Sequence, residues 1–180
     1  MIINIKNDEY NKLVALCTQS SLEQNGLIRL KILNNKIEFL DYYESNGQEI
    51  IERTSNNIIF NREKFIYYQM LTTLLYDLSK EIWVDYHTHP GLLSANGLSK
   101  SDFETLKYRT NLRNKVYTEV FKIDPPIQVD AIITEDEIGF YSIEDDKIIK
   151  HNLMIDGKLI KDVENSNVKI LKRIVKRIIK

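Results

Sequence analysis

Cysteine is almost absent. Cys17 is the single one in 180 residues, so no disulfide can form within the chain. That suits a reducing compartment. An excess of one charge is missing too: 25 basic and 26 acidic residues leave a formal net charge of −1. No global field therefore argues for nucleic acid as a partner. No apolar run approaches the ~20 residues that a membrane helix needs. The N-terminus lacks the basic region and apolar stretch of a secretory signal. These absences predict a cytoplasmic protein without stable membrane insertion. They leave the oligomeric state open. Linkers, internal repeats and low-complexity tracts are also missing, and with 43% apolar and 28% charged residues the chain reads as one globular domain over 1–180.

What is present alternates between strand and helix patterns. Residues 2–5 read as a strand and 8–22 as a helix with Leu13, Val14, Leu16 and Cys17 at helical spacing. Strands at 27–33 and 36–43, parted by Asn34-Asn35, read as a hairpin. A further strand is expected near 57–60, then a long amphipathic helix over 62–79. The segment 82–89 is a strand by composition, followed by a loop and a helix that Ser99 starts as N-cap. Strands at 127–134 and 138–143 and a hairpin of 147–154 with 158–161 precede an amphipathic C-terminal helix within 165–180. The expectation is an α/β protein: a mixed sheet covered by helices on both sides.

The segment that carries chemistry is His87-Thr88-His89-Pro90, then eight residues of loop, then Ser99-Lys100-Ser101-Asp102. Side chains two apart on a strand share a face, so His87 and His89 can aim at one point while Thr88 points away. Asp102, in the first turn of the next helix, can return as a third ligand. Two imidazoles and a carboxylate leave the fourth tetrahedral position open, which marks a catalytic Zn2+ site over a structural one. The serine and aspartate also fit a capping box, and the two readings are compatible.

These motifs resemble those of the JAMM family (also JAB or MPN+), zinc metalloproteases that include deubiquitinating enzymes. HxHP is His87-Thr88-His89-Pro90, and SxxD is Ser99-Lys100-Ser101-Asp102. The family's upstream glutamate pattern, E-x-x-G-x-L, is resembled by Glu23-Gln24-Asn25-Gly26-Leu27-Ile28, with Glu23 lying 64 residues before His87. The resemblance spans about residues 8–143. The loop after Pro90 is longer than in many members, and Leu30 stands where a second glycine often does. Glu38, Glu44 and Glu49 stay open as substitutes for Glu23.

The resemblance implies a three-layer α-β-α fold around a central mixed sheet, cytidine-deaminase-like. It implies that His87, His89 and Asp102 bind Zn2+, that Glu23 is the general base, and that Ser99 stabilises the oxyanion. It further implies a zinc peptidase or isopeptidase. The substrate would be the C-terminal tail of a ubiquitin-like (β-grasp) or sulfur-carrier-like protein, bound by strand addition at a sheet edge. The alternative is a non-catalytic MPN-like scaffold.

Asp85-Tyr86-His87-Thr88-His89 also resembles the DxHxH opening of phosphoesterase and amidohydrolase barrels. Those folds take further histidines from later strands and typically about 250 residues. Only His151 follows His89 here. His151 is expected in a surface hairpin, structural or solvated, and Cys17 in the core.

Overall fold

The computed structural model describes residues 1–33, 36–45, 50–53, 58–60, 81–92, 98–125 and 127–160. The helices expected over 62–79 and within 165–180, the Asn34-Asn35 turn, Glu49 and the middle of the loop after Pro90 lie outside them. The described strands are β1 (Ile2–Ile5), β2 (Asn25–Leu33), β3 (Lys36–Glu44), β4 (Ile50–Arg53), β5 (Ile58–Phe60), β6 (Glu81–Thr88), β7 (Asp130–Ile133), β8 (Ile138–Glu144), β9 (Lys147–Ile155) and β10 (Lys158–Leu159). The described α-helices are α1 (Asn7–Thr18) and α2 (Lys100–Lys115), the latter continued by a π-helical turn, Val116–Phe121. Among the described residues no helix is long and apolar enough to cross a membrane.

The sheet closes on itself. Strands run in the order β1-β3-β2-β6-β7-β8-β9, and β1 also pairs with β9. β1 makes both closing contacts in parallel: Ile3 opposite Ile37 on β3, and Ile2 to Ile5 opposite Asn152 to Ile155 on β9. The result is a seven-stranded mixed barrel, with β10 folded back on β9 and β4–β5 as a separate ribbon. This overturns the expected three-layer α-β-α sandwich. The sheet is not an open layer between two helical layers, because β1 joins its two edges.

Closure also removes the sheet edge on which strand addition was expected. β2 lies between β3 and β6, β6 between β2 and β7, and β7 between β6 and β8. Each is already paired on both sides.

The barrel is filled by alternate residues of its strands. Ile3, Ile28, Leu30, Val84, Tyr86, Ala131, Ile133, Phe140 and Leu153 point inward and form one apolar cluster. Each fully buried aliphatic side chain contributes about 1.5–3 kcal/mol. The hairpin between β8 and β9 turns on Asp145 (φ 48) and Asp146 (φ 60), the left-handed pair that a two-residue turn needs.

Helix α1 closes one mouth. Its Tyr10, Leu13, Leu16 and Cys17 join the interior cluster. The Tyr10 hydroxyl donates to the Asp136 carbonyl at 3.0 Å, in the turn between β7 and β8. The helix stops at Thr18, earlier than the expected residue 22. The Thr18 hydroxyl donates back to the Ala15 carbonyl, and Ser20 Oγ accepts from the Leu22 amide and the Gln24 side chain. Such local bonds offer the backbone an alternative to helix.

Helix α2 lies on the outside, over β6, β7 and β8. Leu106 packs there with Ile132 and Tyr141, and Leu98 and Ile143 flank them. His87, His89 and Asp102 sit at the upstream end of this helix, beside the mouth that α1 closes.

Candidate metal centre

Strand alternation sorts the residues of β6. Val84, Tyr86 and Thr88 are buried inward, whereas Asp85 and His87 point outward toward α2. The His89 amide donates to the Ile133 carbonyl at 2.8 Å, which carries the strand one residue beyond Thr88. His89 thus stays on the face of His87. Thr88, on the other side, clamps the segment before β2: its Oγ accepts from the Gln24 amide at 2.8 Å, and its own amide donates to the Gln24 carbonyl. This fixes Glu23 beside the histidines. Gly26 is required there because a Cβ would meet the Tyr43 carbonyl oxygen at 1.9 Å.

Asp102 arrives from the start of α2. Ser99 caps the helix by accepting from the Asp102 amide at 3.1 Å, and the Asp102 carboxylate accepts from the Ser99 amide at 3.1 Å. Both halves of the capping box are present. The box orients Asp102 so that its Oδ1 lies 3.2 Å from His87 Nε2 and its Oδ2 lies 3.7 Å from His89 Nε2. The two Nε2 atoms are 2.9 Å apart.

His87, His89 and Asp102 could hold a metal ion, their donor atoms lying within 4.8 Å of one another. Bonds of the length typical for zinc separate tetrahedral ligand atoms by about 3.3–3.6 Å. The separations of 2.9, 3.2 and 3.7 Å bracket that range. A proton on one Nε2 can satisfy one of these contacts, whereas a cation satisfies all three. The residues could therefore hold a metal ion.

The electrostatics agree with that fit. Burial pushes the Asp102 carboxyl up, but hydrogen bonding and charge from His87, the Ser99 bond and His89 outweigh it and hold the group well below the usual range. Burial lowers His89, with His87 adding to it and Asp102 opposing, which favours the neutral imidazole that a metal needs. Glu23 is buried, and its carboxylate Oε1 lies 3.9 Å from His89 Nδ1. Burial raises its carboxyl, His87 opposes and Asp102 adds to the rise. A carboxylate moved toward neutrality suits a proton acceptor and donor.

Of the substitutes for Glu23, Glu38 and Glu44 lie on β3, separated from β6 by β2. Asp85, the ligand that the rival DxHxH reading requires, contacts α2 instead. Arg109 Nη1 lies 3.0 Å from Asp85 Oδ2, and Arg109 Nη2 lies 2.9 Å from Asp130 Oδ2. Gln128 donates to the other Asp130 oxygen at 3.0 Å, and Arg113 approaches Asp85 at 3.9 Å. The sequence reading missed this network. Its signal was the spacing of Asp102, Leu106, Arg109 and Arg113 along one face of the helix.

His151 is buried in the barrel wall, not solvated in a surface hairpin, and neither ring nitrogen is hydrogen-bonded among the described residues. It points inward with Leu153 and Ile155. Cys17 is in the core as expected, and burial pushes its thiol up to about 11, with Glu135 adding and a backbone hydrogen bond from His89 opposing. An open groove of about 490 Å³ lies along Cys17 to Ser21, Pro90, Gly91 and Glu135, beginning one residue past His89.

No family model matches the chain, and no curated protein matches it. Among solved structures it is similar to the solution structure of protein DSY2949 from Desulfitobacterium hafniense. The likeness has a TM-score of 0.53 at 14% identity and covers 88% of this chain and 95% of that one. At such identity it shows the fold alone.

Proposed function

We propose that this chain is a zinc peptidase or isopeptidase of the JAMM type, acting at the site of His87, His89, Asp102 and Glu23. The observation that carries this reading is the convergence of three metal donors with a buried glutamate 3.9 Å from His89. A structural metal site needs no such carboxylate and fills its fourth position with protein. The likeness to the JAMM motifs supports the same chemistry. The barrel is no obstacle, since sites of one kind recur on different folds.

Zinc bound there would polarise the scissile carbonyl and acidify a water molecule. Glu23 takes the proton of the attacking water and delivers it to the leaving amine, help typically worth about 10²–10⁴-fold. Asp102, held anionic, would be one of the three residues that hold the ion. Ser99, exposed at the head of α2, donates its hydroxyl hydrogen to the oxyanion while its lone pair caps the helix.

The substrate on this reading is the extended C-terminal tail of a ubiquitin-like or sulfur-carrier-like protein. With no free edge beside the site, the tail lies in the groove along Pro90, Gly91 and Ser20, not as an added strand.

The test pairs metal analysis with cleavage. Protein purified without chelator should carry about one zinc per chain, and should release the group joined to a ubiquitin-like C-terminal tail. Glu23→Gln should retain zinc and lose cleavage. Zinc-free wild-type protein, or Glu23→Gln cleaving at the normal rate, sinks the proposal. Partner binding without cleavage in wild type and variant alike would leave the scaffold reading standing in its place.

A further inference from the structure

We propose that Arg109 is a positioning residue for the metal site, fastening α2 to β6 and β7 at the register that brings Asp102 to His87 and His89. This rests on reading those three residues as a metal site. The helix runs antiparallel to β6. Asp102 meets His87, Arg109 meets Asp85, and Arg113 donates to the Trp83 carbonyl at 3.5 Å. Only Leu106 on α2 is fully buried and apolar. Such a contact resists lifting of the helix but does little to fix its rotation or slide. A slip of one residue moves a helix by 1.5 Å and turns it about 100°, enough to swing Asp102 away.

Arg109 prevents both motions. Its planar fork engages two carboxylates on neighbouring strands, and Asp85 and Asp130 are direct register partners. Gln128 locks the second carboxylate. Two fixed points define an orientation where one would leave a pivot, and a lysine ammonium cannot reproduce the fork. Charge supports the same role. Arg109 and Arg113 offset Asp85 and Asp130, so the negative charge of Asp102 is left for the cation.

The test uses Co2+ as the probe on the full chain, reading its dissociation constant and its d–d absorption bands. Arg109→Lys should weaken Co2+ binding and shift the bands. The triple variant Asp85→Leu/Arg109→Met/Asp130→Leu, which removes the two buried carboxylates together with Arg109 and leaves Arg113 its bond to the Trp83 carbonyl, should melt near the wild type. It should still lose about 10–100-fold in Co2+ affinity, the usual cost of losing support behind a ligand. In an Asp102→Asn background the added effect of Arg109→Lys should vanish, because the residue it positions is gone.

Wild-type affinity and bands in Arg109→Lys overturn the proposal. So does an equal loss with and without Asp102, which would make Arg109 a general structural prop. If the triple variant fails to fold, Arg109→Lys and its cycle with Asp102→Asn decide alone. Unchanged Co2+ binding in Asp102→Asn overturns the metal reading and this proposal together, whereas the outcomes above leave the metal reading intact.

Discussion

The barrel interior is fully buried and the outer face beneath α2 only partly so, and the two are held by opposite means. Inside, Ile3, Ile28, Leu30, Val84 and Phe140 meet without a charge among them. Outside, Asp85, Arg109, Asp130, Gln128, Asp102 and the two histidines surround a small apolar island of Leu106, Ile132 and Tyr141. Apolar filling is non-directional and tolerates exchange of one aliphatic residue for another. Paired charges are directional, and their desolvation makes them a poor source of stability. The difference divides the work: the interior holds the barrel, and the outer face orients the candidate ligands His87, His89 and Asp102.

The sharpest way to break this division is at the ligands. On the proposed function, His87→Ala should lose the metal and all cleavage yet melt close to the wild type, because the outer face is not where the barrel gets its stability. Metal content, turnover and a thermal scan check it. A large fall in melting temperature of the metal-free variant against metal-free wild type would show that the two regions are not separable.

Next in size is Arg109→Met alone. It removes the buried cation between Asp85 and Asp130, leaving them the Gln128 amide and the more distant Arg113, and should cost about 3–5 kcal/mol in denaturant unfolding. Leu13→Ala, in the α1 plug of the interior, should cost a similar or smaller ~2–5 kcal/mol by opening a cavity. The contrast lies in the second readout. At temperatures where both variants are folded, Arg109→Met should weaken metal binding and Leu13→Ala should not. Equal loss of metal affinity in both would mean that destabilisation in general, and not the outer face in particular, governs the site.

The two regions also differed in how far they could be read from sequence. His87, His89 and Asp102 were legible because strand period and helix capping are local rules spanning a few residues. Glu23 was legible only through its motif, and its place beside His89 depends on the bond pair between Gln24 and Thr88. Closure was not legible. It depends on four residues, Ile2 to Ile5, pairing with positions near 37 and with 152–155, and nothing in a short strand says that it has two partners. The Arg109 network was hidden for another reason. Nothing in the sequence pairs arginines at 109 and 113 with carboxylates until Asp85 and Asp130 are seen to share a register position beneath them. His151 was misplaced because a hairpin strand in a barrel has an inward face that composition does not announce.

The smallest expected effect belongs to an imidazole within the barrel interior. His151 is buried, with no hydrogen-bond partner on either ring nitrogen among the described residues. Burial, and next the positive amino terminus of Met1, lower its pKa from the usual 6.5 to about 4. The fold therefore favours the neutral ring, while the unfolded chain takes up a proton first as pH falls. The stability contributed by this group is fully present above about pH 6.5 and is lost between there and about pH 4. The loss should amount to at most about 3 kcal/mol. Denaturant unfolding of the metal-free protein at pH 7 and pH 4.5 measures it. Other carboxyls titrate in the same window, so the comparison is with His151→Leu, which keeps an apolar inward side chain and should flatten the slope. An unchanged slope in that variant would mean that the ring is already solvated or paired, and that His151 is no charge-sensitive point in the barrel interior.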